Sequence, residues 1–151
     1  MKSSPRTQKT LTSVNWPIEQ LPGLKNDDLK TLNKHGISTT FELLRQTRTG
    51  SQKEALAVQL AVPVRTVSKW VAMADLARLP AVGCQYCGLL LHVGICSTAQ
   101  LAKTPLHTLQ RQMLRFQVQL FQRIELSPTL EQIALWIRQA QQLTTKQPVK
   151  Q

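Results

Sequence analysis

Apolar residues recur at three- and four-residue steps along most of the chain, and one such pattern is written twice. Leu21-Pro22-Gly23-Leu24, Leu32 and Gly36-Ile37 return 58 positions later as Leu79-Pro80-Ala81-Val82, Leu90 and Gly94-Ile95; Thr40 and Leu43 return as Thr98 and Leu101. A gapless internal period of this kind marks a duplicated supersecondary unit. In each copy the proline fixes its own φ and pushes the preceding leucine out of the helical region, which sets a tight turn. A helix is predicted to follow, on Leu24, Leu29 and Leu32 in the first copy and on Val82, Tyr86, Leu89, Leu90 and Val93 in the second. Gly36 and Gly94 stand where a helix end favours positive φ. Ser38-Thr39-Thr40 and Cys96-Ser97-Thr98 then offer cap oxygens to short helices over 41–45 and 99–103.

The remaining pattern is helical as well. Trp16-Pro17-Ile18 predicts a short helix ending near Leu21, with Pro17 at its first position. Residues 52–60 form a helix, and Pro63 opens another over 64–79 with Val64, Val67, Val71 and Ala74 on one face. A long amphipathic helix covers 106–124, with Leu106, Leu109, Met113, Phe116, Leu120 and Ile124 aligned. Ser127-Pro128 starts a last helix that runs to 143. A second duplication joins these elements: Val67, Trp70, Val71 and Ala74 match Ile133, Trp136, Ile137 and Ala140 at an offset of 66. The eight extra residues fall in the long helix of the second unit. The tryptophan helices link and close the two units.

Charge points the reading towards polyanions. The 151 residues hold 19 Lys and Arg against 8 Asp and Glu, a net charge of +11. Such a field favours nucleic acid first, an anionic membrane surface second and an acidic protein third; a purely solubilising role is the bland alternative. Between Leu76 and Ile124 there is no carboxylate, while Arg78, Lys103, Arg111, Arg115 and Arg123 lie there. Residues 1–15, with Lys2, Arg6 and Lys9, have no period and are expected to be a flexible basic arm. No apolar run is long enough to span a bilayer, residues 1–13 hold no hydrophobic leader, and three closely spaced cysteines fit a reducing compartment, so a cytoplasmic protein is expected.

The repeated turn resembles the helix-hairpin-helix motif, whose hairpin reads hydrophobic-Pro-Gly-hydrophobic-Gly. That resemblance implies binding of a phosphate backbone through amide N–H groups at the start of the second helix. Uncovered N–H groups at the positive end of a helix dipole are an anion site in any family. Each copy keeps one of the two glycines, Gly23 ahead of Lys25 in the first and Gly83 behind Ala81 in the second. The alternative is a hairpin that only packs two helices. Residues 54–70 also carry the apolar spacing of a DNA-binding helix-turn-helix, with Ala61 at the turn and Arg65, Thr66, Ser68 and Lys69 projecting from the second helix; an ordinary packing helix is the competing reading.

Other constellations give less. Cys84, Cys87, His92 and Cys96 come within one residue of a zinc-knuckle spacing, but a packed helix over 83–93 would bury Cys87 and separate it from Cys84 and His92, so no metal is expected. Asp27 and Asp28 suit the first turn of a helix, His35 a helix C-terminus, and His107 has no partner at useful spacing. No phosphate loop, dinucleotide fingerprint or nucleophile elbow occurs, and neither an enzyme activity nor a cofactor is expected.

Across 16–143, Trp70-Val71, Met73-Ala74-Asp75-Leu76, Arg78-Leu79-Pro80, Tyr86, Leu130-Glu131-Gln132-Ile133, Trp136-Ile137 and Ala140 are similar to a family of tandem helix-hairpin-helix proteins, found mostly in photosynthetic bacteria and catalogued as a domain of unknown function. Gly36-Ile37-Ser38-Thr39 gives a looser likeness to the carboxy-terminal domain of the bacterial RNA polymerase alpha subunit, which implies contact with both DNA and regulators. The expected fold is all-α: two tandem helix-hairpin-helix (SAM-like) units, 16–78 and 79–143, packed as one compact helical domain, with a tail over 144–151. The expected function is low-specificity binding of nucleic acid, duplex DNA in the first place. Gly83, Cys84 and Gln85 would supply amides at the second turn, with charge from Arg78, Arg111 and Arg115; Gly23, Lys25, Lys30 and Lys34 would serve the first turn, and Arg65 and Lys69 the helix-turn-helix face. The rival expectation is an adaptor that docks an acidic protein through the same basic surface.

Overall fold

Eight helices follow one another in the computed structural model, which describes residues 11–120 and 128–146. They are α1 (Asn26–Lys34), α2 (Thr40–Arg45), α3 (Gly50–Leu60), α4 (Val64–Ala77), α5 (Gly83–His92), α6 (Thr98–Lys103), α7 (Leu106–Leu120) and α8 (Leu130–Lys146). A 3-10 turn, Ile18–Gln20, precedes them. Among the described residues there is no strand, only one isolated antiparallel bridge between Pro17 and Thr39.

The two copies of the repeated stretch fold alike because the same local chemistry acts at the same places. α1 ends at Gly36 (φ +80°) and α5 at Gly94 (φ +99°), backbone that a Cβ would strain. Past each glycine the chain turns back: Ile37 N–H donates to Leu32 O and Ile95 N–H to Leu90 O, both at 2.9 Å. Both isoleucines are thereby buried. Thr39 then caps α2 by accepting from Glu42 N–H, and Ser97 caps α6 by accepting from Gln100 N–H. Glu42 returns the bond by accepting from Thr39 N–H, which completes a capping box, while Gln100 accepts from Cys96 N–H, one residue before the cap.

One apolar core serves both copies. α4 lies at its centre, with Val67, Trp70, Met73, Ala74, Leu76 and Ala77 buried, and packs on α2, α3 and α5. α8 closes the other side by lying on α6 and α7, with Ile133, Trp136, Ile137 and Ala140 buried. Trp136 packs its ring on Tyr86 (centroids 5.0 Å apart) and donates from Nε1 to Ala81 O at 3.1 Å.

Three expectations need correction. The end of the predicted flexible arm is held in place: Leu11 packs on the core, Val14 N–H donates to Arg78 O, and Asn15 Oδ1 accepts from Phe41 N–H. The Val14 bond meets the C-terminal end of α4 and the Asn15 bond the N-terminal end of α2, two helix ends that leave polar groups in need of partners. α8 begins two residues later than Ser127-Pro128 implied, because Thr129 accepts from Gln132 N–H and so is its cap. The helix expected near Leu21 is only the short 3-10 turn. Lys2, Arg6, Lys9, Arg123, Ile124 and Ser127 lie outside the described residues.

Candidate nucleic-acid interface

The second turn is the natural place to look for uncovered amides, and most of them are taken. Gly83 N–H donates to Leu79 O at 2.9 Å, and Ala81 N–H donates to Gln139 Oε1 at 2.8 Å. Gly83 is itself buried, at φ +57°, and a Cβ built on it would stand 3.2 Å from Cζ2 of Trp16. The expectation that Gly83 offers its amide to phosphate is therefore corrected: this glycine is needed for close packing against an indole. Trp16 is fixed there by its Nε1–H, which donates to Ala77 O at 2.8 Å. Only the amides of Cys84 and Gln85 remain as first-turn donors, facing a concavity of about 410 Å³ lined by Trp16, Gln20, Pro80 and Val82.

The first turn is open but acidic. Gly23 (φ +86°) and Lys25 are exposed, as are Lys30 and Lys34 four apart on α1. Asp27 and Asp28 occupy the first turn of the same helix, and Asp28 Oδ2 accepts from Lys25 N–H at 3.2 Å. A phosphate approaching those amides would meet two carboxylates, a direct repulsion.

The cations converge elsewhere, between α2, α3 and α4. One groove of about 510 Å³ is lined by Arg48, Lys53 and Lys69 over a floor that includes Leu44, Val71 and Leu91. A second groove, about 380 Å³, is lined by Arg45, Arg48 and Arg78 with Ser13 and Phe41. Leu44 and Arg48 border both, so the grooves adjoin. Carboxylates nearby are already engaged. Asp75 holds Arg78 at 2.9 Å through Oδ1 and accepts Thr98 N–H through Oδ2. Glu42 accepts from Ser38 N–H, which lowers its pKa below the ordinary carboxylate value, and lies 4.0 Å from Arg45. Arg48, Lys53 and Lys69 enter no ion pair among the described residues.

Of the sequence-predicted residues, Lys69 and Arg78 thus fall in this basic region, although Arg78 is half-buried and partnered and lines neither the second turn nor its concavity. Arg65 is exposed one turn before Lys69 on α4, beyond the left-handed Ala61 (φ +59°) that joins α3 to α4. Arg111 and Arg115 are exposed on α7 with half-exposed Leu114 beside them, and they line neither groove. Sequence reading missed Arg45, Arg48 and Lys53, whose meeting is set by how α2 and α3 pack on α4.

Residues 22–143 match the family described as Domain of unknown function (DUF4332). The chain belongs to this family. No curated protein and no solved structure matches it. The DUF4332 match runs from Pro22 of the first turn through the second copy and ends within α8, so grooves and turns lie inside it, save for what Ser13, Trp16, Gln20 and Leu21 contribute.

The cysteines are separated by the helix that carries two of them. Cys87 is fully buried and Cys84 half-buried on the first turns of α5, while His92 and Cys96 are exposed at and beyond its end. Burial pushes the Cys84 thiol up to about 11 and the Cys87 thiol to about 12, away from the thiolate state that a metal ligand needs. Among the described residues no three His, Cys, Asp or Glu side chains are placed to hold a metal ion. No described helix is long and apolar enough to cross a membrane.

Proposed function

We propose that this protein is a non-enzymatic nucleic-acid-binding protein that holds the sugar-phosphate backbone with little sequence specificity. In this reading the two repeated stretches are tandem helix-hairpin-helix units used as a scaffold, and the interface is the basic region around Arg48. The observation that carries it is the convergence of Arg45, Arg48, Lys53, Lys69 and Arg78 on two adjoining grooves whose neighbouring carboxylates are already bonded. The net charge of +11 supplies long-range attraction to a polyanion. Each phosphate neutralised releases counterions, so affinity must fall steeply as salt rises.

The test is binding of labelled oligonucleotide by full-length protein across a salt series, with wild type beside Arg48→Glu and Lys69→Glu. Each variant is expected to weaken binding and to reduce the salt slope by about one unit, as loss of one phosphate contact demands. Absence of binding at low salt refutes the proposal.

A second reading is supported by the occupied turns. With Ala81 N–H spent on Gln139 and Gly83 N–H on Leu79, the second hairpin acts as a structural joint, as it would in an adaptor that docks an acidic protein. The same charge reversals separate the readings when oligonucleotide retention and partner capture are measured together: loss of an acidic partner with no oligonucleotide binding by wild type favours the adaptor.

A further inference from the structure

We infer that the basic grooves take single-stranded nucleic acid in preference to duplex, which deepens the proposed function and rests on it. Three observations point the same way. First, few amides are left to grip a duplex backbone: the second turn spends those of Ala81 and Gly83 on Gln139 and Leu79 and leaves only Cys84 and Gln85, away from the cations, and the first turn surrounds its own with Asp27 and Asp28. Second, the free cations Arg48, Lys53 and Lys69 line a concave groove of about 510 Å³, a volume within the range of pockets that enclose small organic groups. Third, the grooves have apolar walls. Leu44, Val71 and Leu91 lie below the cations of the first, and Phe41 lies beside Arg45, Arg48 and Arg78 in the second.

The third observation decides between the two forms. A duplex presents phosphates outside and keeps its base faces stacked inside, so it would leave Phe41 and the aliphatic floor wet. A single strand exposes both its phosphates and the faces of its bases, and a charged groove with an aromatic platform is the arrangement that single strands use. Arg48, shared by both grooves, would hold the phosphate between two bases, one above Leu44 and Val71 and the next on Phe41. The sugar is not discriminated by any of these groups, so DNA and RNA strands share the chemistry.

The experiment compares labelled oligo-dT, oligo-rU and a hairpin duplex of equal phosphate count by fluorescence anisotropy with the full chain at one salt concentration. Both single strands are expected to bind at least about fivefold more tightly than the duplex, the smallest advantage that one stacked base confers. Phe41→Leu keeps an apolar side chain but removes the aromatic face; it should weaken single-strand binding at least about fivefold and leave duplex binding unchanged. A thermal melt shows whether the variant is folded. Photocrosslinking of an iodouracil-substituted strand to wild type gives a second readout, with adducts expected at Phe41 and its neighbours. Duplex binding equal to or tighter than single-strand binding overturns this inference and leaves the proposed function standing, as do crosslinks confined to α7. Binding of one single strand and not the other overturns the claim that the sugar is not read. Failure of all three probes to bind overturns both.

Discussion

Gly83 can be there for a phosphate or for Trp16, and a thermodynamic cycle separates the two. Gly83→Ala places a Cβ at φ +57°, where an L-residue costs roughly 1–2 kcal/mol. The same Cβ stands 3.2 Å from Cζ2 and 3.8 Å from Cη2 of Trp16, and crowding of this order costs typically about 1–3 kcal/mol. Restricting the unfolded chain returns about 0.4–1 kcal/mol. The net expectation is a loss of roughly 1–5 kcal/mol, or about 2–20 °C in the melting temperature of a chain this long. Trp16→Phe deletes the fused ring that carries Cζ2 and removes the Nε1 bond to Ala77 O, which leaves that carbonyl short of a donor at a cost of about 1–3 kcal/mol. In the Trp16→Phe background, Gly83→Ala should then lose only its backbone share, giving a coupling of about 1–3 kcal/mol, the crowding share, by urea titration of the four proteins. Equal costs in both backgrounds, or a Gly83→Ala protein as stable as wild type, would refute the packing account. If Gly83→Ala instead kept full stability and lost oligonucleotide binding, the close approach of a phosphate would be the reason for the glycine.

Two further outcomes follow from the same coordinates. Ala61 sits in the left-handed region at φ +59° on an exposed turn, so Ala61→Gly should relieve strain and raise stability by about 0.5–1 kcal/mol after the entropy it restores to the unfolded chain; a loss of stability by chemical denaturation would contradict this. Cys87, with a folded pKa raised from 9.0 to about 12 by burial, stabilises the protein fully below pH 9 and progressively less above it, because only the unfolded chain releases its proton there. At pH 10 the loss should be on the order of 1 kcal/mol, and Cys87→Ala should reduce the pH dependence of unfolding between 9 and 11 although it lowers stability overall; an unchanged slope would sink the argument.

The architecture was legible because its causes are local. The 58-residue offset located both turns, the Gly36 and Gly94 chain reversals and the Thr39 and Ser97 caps, since each depends on a few adjacent residues. Helix ends were less legible where the decisive group was distant or duplicated. Thr129 rather than Ser127 caps α8 because its partner Gln132 sits three residues on, a box that the Ser-Pro pair obscured. The candidate site was harder still. Cysteine placement on α5 could be read from helical period, but the grooves could not, for Arg48 follows α2, Lys53 belongs to α3 and Lys69 to α4. Nothing in the spacing of these residues announces that three separate helices bring them to one wall. Conversely, the acid-free stretch from Leu76 to Ile124 drew attention to Arg111 and Arg115, which line neither basic groove nor the concavity at the second turn.

The two tryptophan helices share their core positions but not the cations that line the grooves. Positions that fill the core are repeated between α4 and α8: Val67, Trp70, Val71 and Ala74 answer to Ile133, Trp136, Ile137 and Ala140. Positions that carry charge are not. At the same offset Arg65 becomes Glu131, Lys69 becomes Leu135 and Arg78 becomes Thr144. α8 spends its polar side chains inward instead, with Gln139 on Ala81 N–H and Trp136 on Ala81 O, and by doing so it closes the turn that α4 leaves open in the first copy. Duplication therefore supplies the packing twice, while the grooves are built once: the second turn is tied to α8, and the cations that line the grooves come from the first unit.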